Sequence, residues 1–134
     1  MPEGVGYGPQ FTASTGNTLN YIGEHVYAYN TASFAGDDTV ILEFDTGKGY
    51  IVIDIYAGVD AYDGDDMDVG IDLNGIRVMD NRSAVIGTNG IVTGLHYRIL
   101  VPPFTHCAIS MENKTDTSAY NGYVMVSGRY YSGD

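Results

Sequence analysis

The stretch Met67 to Met79, MDVGIDLNGIRVM, constrains the fold more than any other part of the chain. Met67, Val69, Ile71 and Leu73 fall on one side of an extended backbone and Asp68, Gly70 and Asp72 on the other, the period-two pattern of a strand with one face buried. Asn74-Gly75 follows at once. Both residue types tolerate the positive φ that a two-residue type I′ turn demands, so the chain is predicted to reverse directly into Ile76-Arg77-Val78-Met79. A chain built around such a hairpin belongs to an antiparallel sheet.

The same alternation recurs on both sides of it. Glu24 to Asn30 sets His25, Tyr27 and Tyr29 against Val26 and Ala28. Thr39 to Asp45 directs Val40, Leu42 and Phe44 inward and Glu43 and Asp45 outward, and Tyr50 to Ala57 buries Ile51, Ile53 and Ile55 while exposing Tyr50, Val52, Asp54 and Tyr56. Between these two runs, Thr46-Gly47-Lys48-Gly49 reads as a short reversal that pairs them antiparallel. Thr31 to Asp38 reads as a polar turn, Gly58 to Asp66 as a loop, and Asp80 to Gly94 as irregular, with short strands at Val85-Ile86 and Ile91-Val92 around a second Asn-Gly, Asn89-Gly90. Leu95, Tyr97, Ile99 and Val101 alternate with His96 and Arg98 until Pro102-Pro103 stops the ladder, since proline has no N–H to donate. Phe104 to Met111 resumes as a strand, Glu112 to Asn121 is a polar loop, and Gly122 to Tyr131 is the last strand. About eight short strands without a helical period predict an all-β chain, an antiparallel β-sandwich of jelly-roll type. Residues 20–134 make one domain. Residues 1–19, rich in Gly, Thr, Ser and Asn, with Pro2 and Pro9 as breakers and Tyr7 and Phe11 as isolated aromatics, read as an extended N-terminal arm.

Composition narrows the function classes. The 134 residues carry a net charge of −11, which disfavours direct contact with a nucleic-acid backbone. The single cysteine, Cys107, excludes an internal disulfide. Met1 to Gln10 has neither the basic start nor the apolar run of a signal peptide, and no stretch approaches the roughly 20 apolar residues of a membrane-spanning helix. Abundant Gly and Tyr without Trp suit pleated, half-buried surfaces joined by tight turns.

No catalytic constellation emerges, and the expectation is a protein without enzymatic activity. Asp60 to Asp68 concentrates carboxylates beside Gly64, and Asp63, Asp65 and Asp68 are the candidate ligands for a calcium ion. Their spacing departs from the EF-hand pattern, and a solvated acidic loop is the first reading of them, with calcium as the minor one. Glycoside hydrolysis needs two acids converging across a cleft. Asp54 and Asp72, outward on what read as neighbouring strands, are the pair the pattern lets face each other, although polar alternation on an open face explains both. His25, His96 and His106 lack metal-ligand spacing. Cys107 shares a strand face with Ile109 and Met111 and reads as a small buried hydrophobe. Asn81-Arg82-Ser83 and Asn113-Lys114-Thr115 match the glycosylation pattern, which is given no weight without a secretory signal. The tyrosines carry the strongest surface signal. Tyr27, Tyr29, Tyr50 and Tyr56 lie opposite the aliphatic set, and exposed aromatics on a sheet anchor protein partners or stack on sugar rings; with Tyr7 and Phe11 they form the candidate interface.

The C-terminal third, RILVPPFTHCAISMENKT followed by NGYVMVSGRYY, resembles the end of viral β-sandwich proteins. It has an apolar strand, a Pro-Pro break, a strand closing on an Asn-containing loop, and a last strand carrying Ser-Gly-Arg-Tyr-Tyr. Bacteriophage capsid decoration or cement proteins, and spike and minor capsid proteins with jelly-roll domains, are similar in this respect. The resemblance implies a virion structural protein on the capsid surface, with capsid protein and further copies of itself as partners, a trimer included. A carbohydrate-binding module, assisted by calcium, is the alternative reading of the same face.

Overall fold

The computed structural model describes residues 19–60, 66–84, 95–115 and 117–132. Every run of alternating residues above forms a strand because one of its faces is apolar and must leave water. The described residues form nine strands and no helix: β1 (Asn20–Ile22), β2 (His25–Phe34), β3 (Thr39–Asp45), β4 (Tyr50–Asp60), β5 (Asp66–Leu73), β6 (Ile76–Ala84), β7 (Leu95–Val101), β8 (His106–Asn113) and β9 (Tyr120–Tyr131). They pair antiparallel in two sheets, ordered β1-β2-β9-β4-β7 and β3-β8-β5-β6.

The innermost pair is the Asn74-Gly75 hairpin. Leu73 faces Ile76 across it, with φ of 52° at Asn74 and 83° at Gly75, as a type I′ turn requires. Around this centre the pairs nest outward: β5 with β6, β4 with β7, β3 with β8, β2 with β9. One long hairpin is thus rolled so that alternate layers fall in opposite sheets, the jelly-roll winding. The core lies between the sheets. Val26, Ile51, Ile53, Ile55, Val101, Val124 and Val126 of one sheet meet Leu42, Phe44, Met67, Val69, Ile71, Cys107, Ile109 and Met111 of the other, all buried.

The pairing expected between Thr39–Asp45 and Tyr50–Ala57 does not form. β3 pairs with β8, and β4 with β9 and β7, because Thr46 to Gly49 crosses from one sheet to the other. A buried threonine fixes this crossing. The Thr46 hydroxyl donates to the Pro102 carbonyl at 2.7 Å and accepts from the Thr105 N–H at 2.8 Å, while the Thr46 N–H donates to the Thr105 carbonyl at 2.9 Å. The β7–β8 turn makes the matching crossing. Its Phe104 N–H donates to the Gly47 carbonyl at 2.8 Å, which holds Phe104 at a φ of 52° in the left-handed region that β-carbon-bearing residues seldom adopt.

Other departures are local. Val40 is exposed, because a bulge between Val40 and Leu42 inserts Ile41 and turns Ile41 inward instead. Asn30, on the inner side of β2, donates to the Ile41 carbonyl at 2.7 Å and so pins the bulge to the other sheet. β2 runs on to Phe34 rather than turning at Thr31, since Phe34 has a place in the core. β4 and β5 reach Asp60 and Asp66, and β6 continues to Ala84. β8 starts at His106, not Phe104, and reaches Asn113, and β9 begins at Tyr120. The short β1 is the ninth strand, and Leu19 just before it is buried. The rest of the expected arm, with Tyr7 and Phe11, lies outside the described residues, as do Val85-Ile86, Asn89-Gly90 and Ile91-Val92.

Candidate functional site

The outer face of the five-stranded sheet gathers most of the side chains singled out above. Strand register sets them in rows. One row reads Tyr29, Met125, Tyr56, His96; the next Tyr27, Ser127, Asp54, Arg98; the next His25, Arg129, Val52, Leu100. Beyond these, Tyr50 lies beside Tyr131, with the rings stacked 5.0 Å apart. All four tyrosines of the candidate interface within the described residues therefore share this face. Tyr29 and Tyr56 flank Met125, and all three side chains are exposed. Tyr56 lies flat on His96 at a centroid distance of 4.5 Å.

Sequence reasoning passed over the β9 contributors Met125, Ser127 and Arg129. Their signal is the alternation of Tyr123, Met125, Ser127, Arg129 and Tyr131 against Val124 and Val126. Their neighbours on this face can be named only once β9 is known to lie between β2 and β4.

Two ion pairs fix the charged groups. Asp54 accepts from Arg98 Nε and from His96 Nε2, each at 3.0 Å. Arg98, and after it His96, hold the Asp54 carboxyl below its ordinary range, and Asp54 in turn raises Arg98. A carboxylate so held does not protonate a leaving group at neutral pH. Arg129 pairs with Glu24 at 2.5 Å and its guanidinium lies 5.9 Å from the Tyr131 ring. Between the two pairs lies a shallow dish of about 360 Å³, with Ser127 and Gly128 among its lining residues.

Asp72 does not face Asp54. It lies on the other sheet, where Arg77 Nε pairs with it and the same guanidinium reaches Asp38 at 3.0 Å and Asp80 at 3.7 Å. Arg77 lies directly over Gly70, where a β-carbon would meet Nη1 at 2.2 Å. The two carboxylates thus stand on opposite sheets, and the converging pair that glycoside hydrolysis needs is not assembled from them. Of the candidate calcium ligands, Asp63 and Asp65 lie outside the described residues, and Asp68 is half-buried on β5, facing Arg82 and Glu112 in register. Among the described residues no group of three or more His, Cys, Asp or Glu is placed to hold a metal ion. Cys107 is fully buried, and burial pushes its thiol up to about 12, so it is inert at neutral pH. Asn113 is buried, and Asn81 donates to the Tyr97 hydroxyl at 2.9 Å across the edges of the two sheets.

His106 stands between two carboxylates on the four-stranded sheet, with Nδ1 2.7 Å from Asp45 and Nε2 2.9 Å from Glu43. Both nitrogens can donate only if the ring is protonated, so Asp45 first and Glu43 second raise its pKa above the ordinary 6.5. A group raised in the folded state stabilises fully below its unfolded value and loses that contribution as the pH climbs through its folded value. Thermal melts are therefore expected to drop in midpoint as the pH rises from 6.5 through the raised value, and His106→Gln should flatten that slope.

No family model matches the chain, and no curated protein matches it. Among solved structures, the chain is similar to dimeric latent PorU from Porphyromonas gingivalis, at 10% identity and a TM-score of 0.47, over 92% of this chain and 15% of that one. A likeness of that size carries no argument about function. Among the described residues, no helix is long and apolar enough to cross a membrane.

Proposed function

We propose that the protein is a non-enzymatic structural protein of a virion, a jelly roll that decorates or cements a bacteriophage capsid through contacts between subunits. The observation that supports this reading is a trio of turn-tip side chains. Phe104, Ile22 and Ile76, at 72%, 67% and 67% exposure, are the most exposed large hydrophobics among the described residues.

All three stand at one end of the sandwich. Asn74 exchanges backbone and side-chain hydrogen bonds with His106, Thr46 binds Thr105, and the Tyr130 N–H donates to the Glu24 carbonyl at 2.7 Å, which brings the β1–β2, β3–β4, β5–β6 and β7–β8 turns together. Each apolar tip sits on or next to a positive-φ residue, Gly23, Gly75 or Phe104 itself. Such turns are already ordered before binding, so little entropy is lost when they dock. Covering one such side chain contributes roughly 1.5–3 kcal/mol. At this end Arg129 is already paired with Glu24 and His106 with Asp45 and Glu43, which reduces the charge a seat on a neighbouring subunit would have to meet. The Tyr29–Met125–Tyr56 row, of the residue types enriched at interfaces, extends the contact to further copies.

Co-sedimentation with shells assembled from the capsid protein of the virus that carries the gene tests the reading. Wild type is expected to saturate at a fixed ratio to shell subunits. The Ile22→Ser, Ile76→Ser, Phe104→Ser triple variant, with an unchanged circular dichroism spectrum, is expected to stay in the supernatant. Wild-type protein that fails to sediment with the shells overturns the proposal.

A further inference from the structure

The dish on the outer face has the chemistry of a small-ligand site, and its contents select the ligand. On a chain of net charge −11 it gathers Arg98 and Arg129, two of the six Lys and Arg residues, together with His25. Asp54 is the one acid among its lining residues. Its volume, about 360 Å³, is at the small end of the roughly 300–1,000 Å³ range of ligand sites and suits one or two sugar rings rather than a protein segment. Tyr27 and Tyr131 line it together with Ser127 and Gly128.

The cations are positioned in advance. Asp54 engages Arg98 through Nε and Nη2, at 3.0 and 3.4 Å, and Glu24 engages Arg129 through Nη2. A guanidinium has five N–H donors, so each keeps donors for a ligand while its plane is held by a carboxylate. His25 faces Arg129 directly across the β2–β9 ladder, which puts two groups able to bind an anion side by side, two residues along β2 from the Tyr27 ring.

We propose that this dish binds a carboxylated pyranose, a sugar of the uronic-acid or sialic-acid class. Its ring lies against Tyr27 beside Ser127, its carboxylate is taken by Arg129 and His25, and its hydroxyls by the acceptor–donor pair Asp54 and Arg98. Guanidinium binds carboxylate through charge-assisted hydrogen bonds, the aromatic face takes the apolar side of a sugar ring, and Asp54 disfavours a doubly charged phosphate by repulsion. The dish adjoins the β1–β2 turn through His25 and Arg129 but takes in none of the three apolar tips.

The test is a ¹H–¹⁵N titration of the full chain with four probes. Methyl β-glucuronide and N-acetylneuraminic acid carry ring and carboxylate, methyl β-glucoside only the ring, and acetate only the carboxylate. The expected result is saturable shifts centred on Tyr27, Ser127 and Gly128, with a carboxylated sugar bound at least about tenfold more tightly than glucoside or acetate, and weaker binding in added salt. Arg129→Gln is expected to remove that preference and Tyr27→Ala to weaken binding of every ringed probe. Absence of saturable shifts with both carboxylated sugars overturns the proposal. So does glucoside or acetate binding as tightly, or binding that both variants leave unchanged. Co-sedimentation is scored on wild type and the turn-tip triple variant and the titration on shell-free protein, so failure of the one is distinguishable from failure of the other.

Discussion

Gly128→Ala is expected to destabilise the fold by about 3 kcal/mol, at the upper end of what overpacking costs in protein cores. A β-carbon there would lie 2.1 Å from the Val52 carbonyl oxygen and 2.6 Å from the Ile53 α-carbon. Both are backbone atoms of β4, so no side chain can rotate out of the way. Relief requires β9 and β4 to separate at the centre of the five-stranded sheet, where each also pairs with a further strand. Two other glycines calibrate the effect. At Gly122 the added carbon meets the ends of the Met111 and Phe34 side chains, which can shift, so Gly122→Ala should cost less. At Gly47 nothing lies within 4 Å, and Gly47→Ala should be close to neutral. Urea melts of the three variants in parallel check the ranking. A Gly128→Ala midpoint equal to that of Gly47→Ala would show that the strands slide apart easily.

Phe44→Ala is expected to cost about 3–5 kcal/mol, the range for removing a buried phenylalanine. Phe44 has no exposed surface and is the largest of the fully buried side chains among the described residues. It projects from β3, an edge strand held to its sheet by β8 alone, so packing against the opposite sheet carries much of the adhesion of that edge. Phe44→Leu keeps most of the volume and should lose less than half as much. An unchanged dependence of unfolding free energy on urea for Phe44→Ala would place the effect in the folded core; a changed one would move part of it to the unfolded chain.

The nested hairpin at Asn74-Gly75 is legible in the sequence because every signal that specifies it is local: alternation on both arms and a dipeptide that accepts positive φ twice. The inward sets Ile51, Ile53, Ile55 and Val26, Ala28 are legible for the same reason. The partner of β3 is not. A short glycine-containing turn can close a hairpin or carry the chain into the opposite sheet, and the choice is made by hydrogen bonds between Thr46 and Thr105, 59 residues apart. Period-two reasoning also fails at Ile41, since one inserted residue reverses the assignment of everything before it. That failure moved Val40 to the wrong face. The tyrosine face lay half in view: its members can be read strand by strand, but Asp54 finds Arg98 and His96, rather than Asp72, only through the order β9-β4-β7.

The strand at the middle of the five-stranded sheet is also the last of the nine to be synthesised. Until β9 has left the ribosome, β2 has only the short β1 and β4 only β7, so two long strands wait with open hydrogen-bonding edges. His25 pairs with Arg129 and Phe34 with Tyr120, so closure joins segments most of the domain apart. Chains dominated by such distant pairings fold slowly. During that interval the exposed edges are templates for misassembly with a neighbouring nascent copy. The β5–β6 hairpin and the sheet built on it can form earlier, which makes the four-stranded half the natural platform on which the last strand locks the other half shut.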